Sequence, residues 1–133
     1  MKNLSKIGLA ALAGLAFLFA KKSKKVSGVG AVDSDAVREI SLWFDNTREL
    51  HERYTVPMAK NLVKKMKKGI QPDLMMLANS SVVDNAVRDT LRDYAKSFGS
   101  FPVSAETRKA MKKEIADSIL AYAQDEYDYE LNN

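Results

Sequence analysis

From residue 33 onward apolar side chains recur every three or four positions, the spacing that lays one stripe along a helix. Asp33, Ser34 and Asp35 offer short polar caps for a first helix, and Val37, Ile40, Phe44, Thr47, Leu50 or His51, and Tyr54 follow at helical spacing, with Trp43 widening the stripe. Thr55 reads as the cap of a second helix, with Pro57 tolerated in its first turn. That helix sets Met58, Leu62, Val63 and Met66 on one side and ends at Gly69, a residue free to turn left-handed after a last helical turn. Pro72 and Asp73 open a short helix through Leu74, Met75, Leu77 and Ala78. A break falls at residues 79–81, with Ser81 and Asp84 as a weakened capping box. The next helix turns Val83, Ala86 or Val87, Thr90 or Leu91, Tyr94 and Phe98 inward and stops at Gly99. After a turn at Phe101 and Pro102, Ser104 caps a final helix carrying Met111, Ile115, Ile119 and Tyr122. No alternating strand pattern and no internal repeat interrupts this series.

Ahead of the helices the pattern changes. Residues 7–20 form an unbroken run of fourteen apolar and glycine positions, with Lys2 and Lys6 before it and Lys21, Lys22, Lys24 and Lys25 after it. As a helix the run covers about 21 Å, against a bilayer core of about 30 Å. Beginning at Leu4 extends it to about 26 Å, with Lys6 reaching back to the headgroups along its own aliphatic stem. A short anchor with lysines at both ends suits a thinned bilayer. A cleaved signal peptide fits the charged start and short apolar stretch but not the four lysines that follow directly, and the small-residue site Val29-Gly30-Ala31 lies far downstream. An apolar helix packed on protein, as in a virion shell, is the third reading. An uncleaved anchor is the favoured one, and the heavier lysine count on its carboxyl side places the rest of the chain on the cytoplasmic or virion-interior side.

The expected fold is therefore all-α: an N-terminal membrane helix, then a compact bundle of four to five short helices. The expected organisation is an apolar anchor over 1–20, a basic flexible linker over 21–35, the bundle over 36–123 and an acidic, frayed tail over 124–133. At 133 residues there is room for one domain. The formal charge is +4. All of that excess sits in residues 1–35, while residues 36–133 carry fifteen basic and fifteen acidic side chains. The basic character thus belongs to the stretch beside the apolar run, which points to an anionic lipid surface more than to a nucleic-acid-binding fold.

Candidate chemistry is sparse. The sequence has no cysteine, so disulfide and thiolate chemistry are excluded. His51 is the single histidine, and with Asp45, Glu49 and Glu52 near it on one helix it reads as a boundary residue on a solvated face, not a metal ligand. Residues 28–30 lack the spacing and the following Lys-Ser/Thr of a phosphate loop. No acid–base pair or nucleophile is set out in sequence, and no catalytic residue, metal or cofactor is assigned. Arg88, Asp89, Arg92 and Asp93 read as an exposed face laced with weak ion pairs, and Glu49 with Arg53 as a favourable pair four apart. The one functional candidate within the bundle is the lysine face of the second helix: Lys60, Lys64, Lys65, Lys67 and Lys68. With Lys21, Lys22, Lys24 and Lys25 these are the candidate lipid or phosphate contacts. No arginine or aromatic side chain is interleaved among the five, which disfavours base readout and base stacking.

Asn61-Leu62, Lys64 through Gly69, Asp73, Tyr94 with Phe98-Gly99, Phe101, Arg108, Ala110 and Glu114-Ile115-Ala116 together resemble a small helical protein family of tailed phages and related mobile elements. The likeness covers roughly residues 54–123. The spacing between Asp73 and Tyr94 departs from the family pattern. The resemblance implies a compact helical module and a phage or mobile-element origin, and it implies no chemistry. The expected function is a non-enzymatic, membrane-anchored structural or interaction protein of such an element. Its partners would be membrane lipid and other virion or membrane proteins. Nonspecific nucleic-acid binding by the lysine face is the alternative.

Overall fold

A computed structural model describes residues 31–133. The apolar run, Lys21, Lys22, Lys24 and Lys25 all lie outside the described residues. Among those described every element is helical: α1 (Ser34–Asn46), α2 (Arg48–Leu50), a π-helical turn (His51–Thr55), α3 (Val56–Lys67), α4 (Leu74–Ala78), α5 (Ser81–Phe98) and α6 (Ala105–Asn132). No helix among the described residues is long and apolar enough to cross a membrane.

Polar side chains set the boundaries. Asp33 accepts from the Ala36 N–H at 3.1 Å and starts α1. Asp73 accepts from the N–H groups of Met75 and Met76 and starts α4. Ser104 accepts from the Thr107 N–H at 3.1 Å and starts α6. Each satisfies donors that a helix start leaves open. The break after α4 falls where the sequence indicates it, but Ser80, not Ser81, is the cap: its hydroxyl accepts from the Val83 N–H and donates to the Leu77 carbonyl, so one side chain closes α4 and opens α5.

The first helix is shorter than its stripe suggests. The break lies at Thr47, whose backbone is extended, and not at Thr55. The Thr47 hydroxyl donates to the Trp43 carbonyl at 2.6 Å and the Asn46 amide to the Leu42 carbonyl at 2.9 Å, so side chains take the acceptors that the next helical turn would use. Thr55 is helical and makes no cap, and α2 runs through the π turn into α3 without interruption. Pro57 accounts for that turn. It has no N–H to give and its ring crowds the carbonyl four residues back. The turn before it widens, with the Val56 N–H reaching the His51 carbonyl five residues away.

Gly69 ends α3 with φ +84°, its N–H bonding to the Met66 carbonyl and the Ile70 N–H to the Lys65 carbonyl. A Cβ there would meet nothing within 4 Å, so Gly69→Ala should cost only the left-handed backbone preference, about 1–2 kcal/mol. Urea denaturation should show that loss with an unchanged slope.

α6 is the spine, about 42 Å long, and packs against α1, α3, α4 and α5. The main core joins Ile40 and Phe44 of α1, Val83, Ala86, Val87 and Tyr94 of α5, and Met111, Ile115, Ala116 and Ile119 of α6, all 2% exposed or less. A smaller cluster seats Ala59, Val63 and Met66 of α3 on Ala123, with Tyr122 and Tyr127 packed against it. Where the sequence suggests a tail from residue 124, the stripe of Ile119 and Ala123 continues to Tyr127 and α6 runs to Asn132, with residues 128–133 exposed.

Candidate functional site

The candidate site is built on α3. Its lysines and apolar residues are arranged by the helical repeat of about 100° per residue. Ala59, Val63 and Met66 face the spine, and Lys60, Lys64, Lys65, Lys67 and Lys68 are all exposed, spread over about 160° of the opposite side. Every lysine of the folded candidate set therefore lies on one solvent-facing surface. That surface has two different flanks.

On one flank, toward the end of α6, a cleft of about 540 Å³ runs between Lys60, Lys64 and Lys67 on α3 and Tyr122, Glu126 and Glu130 on α6. Lys67 donates to Glu130 at 2.8 Å. Both partners are about half exposed, so the pair adds little stability, but it supplies counter-charge at that edge. On the other flank, toward α4, a second groove of about 540 Å³ is floored by Met58, Leu62, Leu77, Pro72 and Met76 and edged by Lys64, Lys65 and Lys68. Asp73 is the one acidic residue of its lining, and its carboxylate is engaged in capping α4. Lys64, Lys65 and Lys68 form no ion pair among the described residues. The lysine set that looks uniform in sequence is split by the fold into a neutralised edge and an uncompensated one.

The groove beside the uncompensated edge borders exposed apolar side chains. Met76 is 74% exposed, Ile70 51% and Met75 50%. Sequence reasoning passed over Ile70 and Met76 and grouped Met75 with the helix-forming apolar residues of α4, because a five-residue helix is too short for periodicity to assign a face.

The other charged clusters prove structural. Asp89 is not on a solvated face: it accepts from the Tyr54 hydroxyl, which holds its carboxyl below the usual range with help from the nearby guanidinium groups of Arg88, Arg92 and Arg53. Arg53 lies 3.7 Å from Asp89, and the pair four apart is Arg48 with Glu52, not Glu49 with Arg53. Asp93 accepts from the Trp43 indole N–H at 2.8 Å, fixing α1 to α5 beside the rings of Tyr94 and Phe98. These two carboxylates pin the first half of the chain to α5 instead of facing water. His51 is half-buried with its ring edge-on to Tyr122 at 4.9 Å. Among the described residues no three His, Asp or Glu side chains converge as metal ligands do.

Sequence reasoning also missed Glu39. Its stripe position, one residue before Ile40, carries it into the core, where it is 1% exposed. Neither carboxylate oxygen closes a hydrogen bond of ordinary geometry, although the Tyr94 hydroxyl faces it. Burial pushes the carboxyl up to about 7, Tyr94 opposes the rise and Asp35 adds to it. Glu39 lines none of the grooves described above and is a buried core group.

No protein family, no curated protein and no solved structure matches this chain.

Proposed function

We propose that this chain is a non-enzymatic structural or interaction protein of a phage or related mobile element, held at a membrane by residues 7–20. The bundle sits on the cytoplasmic or virion-interior side, with lipid and other virion or membrane proteins as its partners. The observation that carries this reading is the fourteen-residue apolar run closed by lysines at both ends. The confinement of the net positive charge to residues 1–35 supports it. The alternative ligand, nucleic acid, is less favoured. A duplex or strand crossing α3 would meet Glu126 and Glu130 at one edge of the lysines, no arginine or aromatic residue is interleaved with them along α3, and Tyr122 across the cleft is half-buried with its ring against His51.

Fractionation tests the proposal. Full-length protein should pellet with membranes, resist alkaline carbonate and come off with detergent. Protein that stays in the supernatant at low salt without detergent, or that emerges from expression without residues 1–31, would overturn it.

A further inference from the structure

Four of the seven large apolar side chains exposed among the described residues gather around α4: Val32, Ile70, Met75 and Met76. α4 is the shortest capped helix of the bundle, and it stands between two basic edges. On one side, across the groove floored by Met58 and Leu62, are Lys64, Lys65 and Lys68. On the other, a depression shared by Val32, Met75 and Ala78 is bordered by Lys109 and Lys113. Those five lysines form no ion pair among the described residues. Glu106 and Asp73 are the acidic residues in the two linings. An apolar ridge between uncompensated ammonium groups matches an anionic bilayer surface, where phosphates lie at the level of the lysines and the acyl boundary lies just below. Methionine suits the ridge, because its flexible thioether fits irregular apolar surroundings.

The path of the chain points the same way. Val32, beside the first described residue, lines the same depression as Met75 and Ala78, and its neighbours Ala31 and Asp33 bond to Thr107, so the described chain begins where the start of α6 lies beside α4. Ten residues, 21–30, separate that run from Ala31, a reach of at most about 35 Å fully extended. With the run in a bilayer, a linker of that length lets the α4 end lie against the same surface.

We infer that the α4 end of the bundle is a lipid-docking face. Met76 and Ile70 seat in the headgroup–acyl boundary of an anionic membrane, while Lys64, Lys65, Lys68, Lys109 and Lys113 contact lipid phosphates. This deepens the membrane reading above and rests on it for the geometry of approach, but it concerns a different part of the chain.

The absence of cysteine allows a direct test. Full-length Met76→Cys carries a polarity-sensitive dye, and Ser97→Cys, near the far end of α5 and about 24 Å along that helix from Ser81, carries the same dye as a control. Each is reconstituted into neutral phosphatidylcholine vesicles and into vesicles mixed with phosphatidylglycerol. The dye at 76 should shift to the blue and be quenched by nitroxide-labelled lipid in the anionic vesicles alone, and the dye at 97 should respond in neither. Replacing Lys64, Lys65 and Lys68 with glutamine should lower the docked-to-undocked ratio on the order of a hundredfold, each lysine being worth about fivefold at such a surface. A dye at 76 that stays in water while the chain floats with the vesicles overturns the docking face and leaves the anchor standing. A dye at 76 that responds while alkaline carbonate strips the chain from the vesicles supports docking and removes the anchor. Equal responses at 76 and 97, or a response at 76 to oligonucleotide and not to lipid, overturn the docking face.

Discussion

Replacing Glu39 with methionine should stabilise the bundle by about 3 kcal/mol more at pH 8 than at pH 4. Glu39 is 1% exposed, and burial raises its carboxyl from 4.5 to about 7. In the unfolded chain the group gives up its proton near 4.5, while the folded chain keeps it until about 7. Between those values the folded state binds more protons than the unfolded one, so stability falls as pH rises through the window and is level above it. Methionine has a similar volume and no charge to desolvate, so the variant should lack this slope. Urea midpoints of both proteins across pH 4 to 8 give the comparison. A difference that stays constant over that range would mean the carboxylate reaches water after all. The placement also explains why the feature was illegible: Glu39 sits within the apolar stripe of α1, where helical phase puts it inside, yet glutamate is read as a surface residue by type. Phase decides: burial sets most of the penalty, which Tyr94 reduces and Asp35 increases.

The same contest between local chemistry and helical phase separates what the sequence made legible from what it hid. Caps at Asp33, Asp73 and Ser104 and terminators at Gly69 and Gly99 act within four residues, so the sequence displays them, and these five helix ends could be read from it. The break at Thr47 was hidden because threonine and asparagine inside a periodic stripe look like ordinary helix residues until their side chains claim carbonyls. Asp89 and Asp93 were misread because their partners, Tyr54 and Trp43, lie 35 and 50 residues away. The lysine face of α3 was legible as a face. Its division into a neutralised and an uncompensated edge was not, since Glu126, Glu130 and the exposed residues of α4 reach it only through the packing of α6 and α4.

Ile119→Ala should be strongly damaging. Ile119 has no exposed surface and sits in the main core, where α6 meets the other helices. Removing its distal carbons loses their transfer free energy and leaves a cavity, together worth about 2–5 kcal/mol. That is a large share of the 5–15 kcal/mol that holds a typical domain, and for a fold of this size it lowers Tm by roughly 10–25 °C. Leu131→Ala on the same helix, at a side chain 63% exposed, should change stability by less than about 0.5 kcal/mol. Tyr127→Ala lies between these in position and should lie between them in effect, because the half-buried ring packs on the cluster of Ala59, Val63 and Met66. Thermal melts followed through Trp43, the single tryptophan, read all three. A Tyr127→Ala melt indistinguishable from the parent would mean that the end of α6 does not hold α3. The lysine face would then lose its support as well, since the residues that Tyr127 covers are the inner side of the helix that displays Lys64, Lys65 and Lys68.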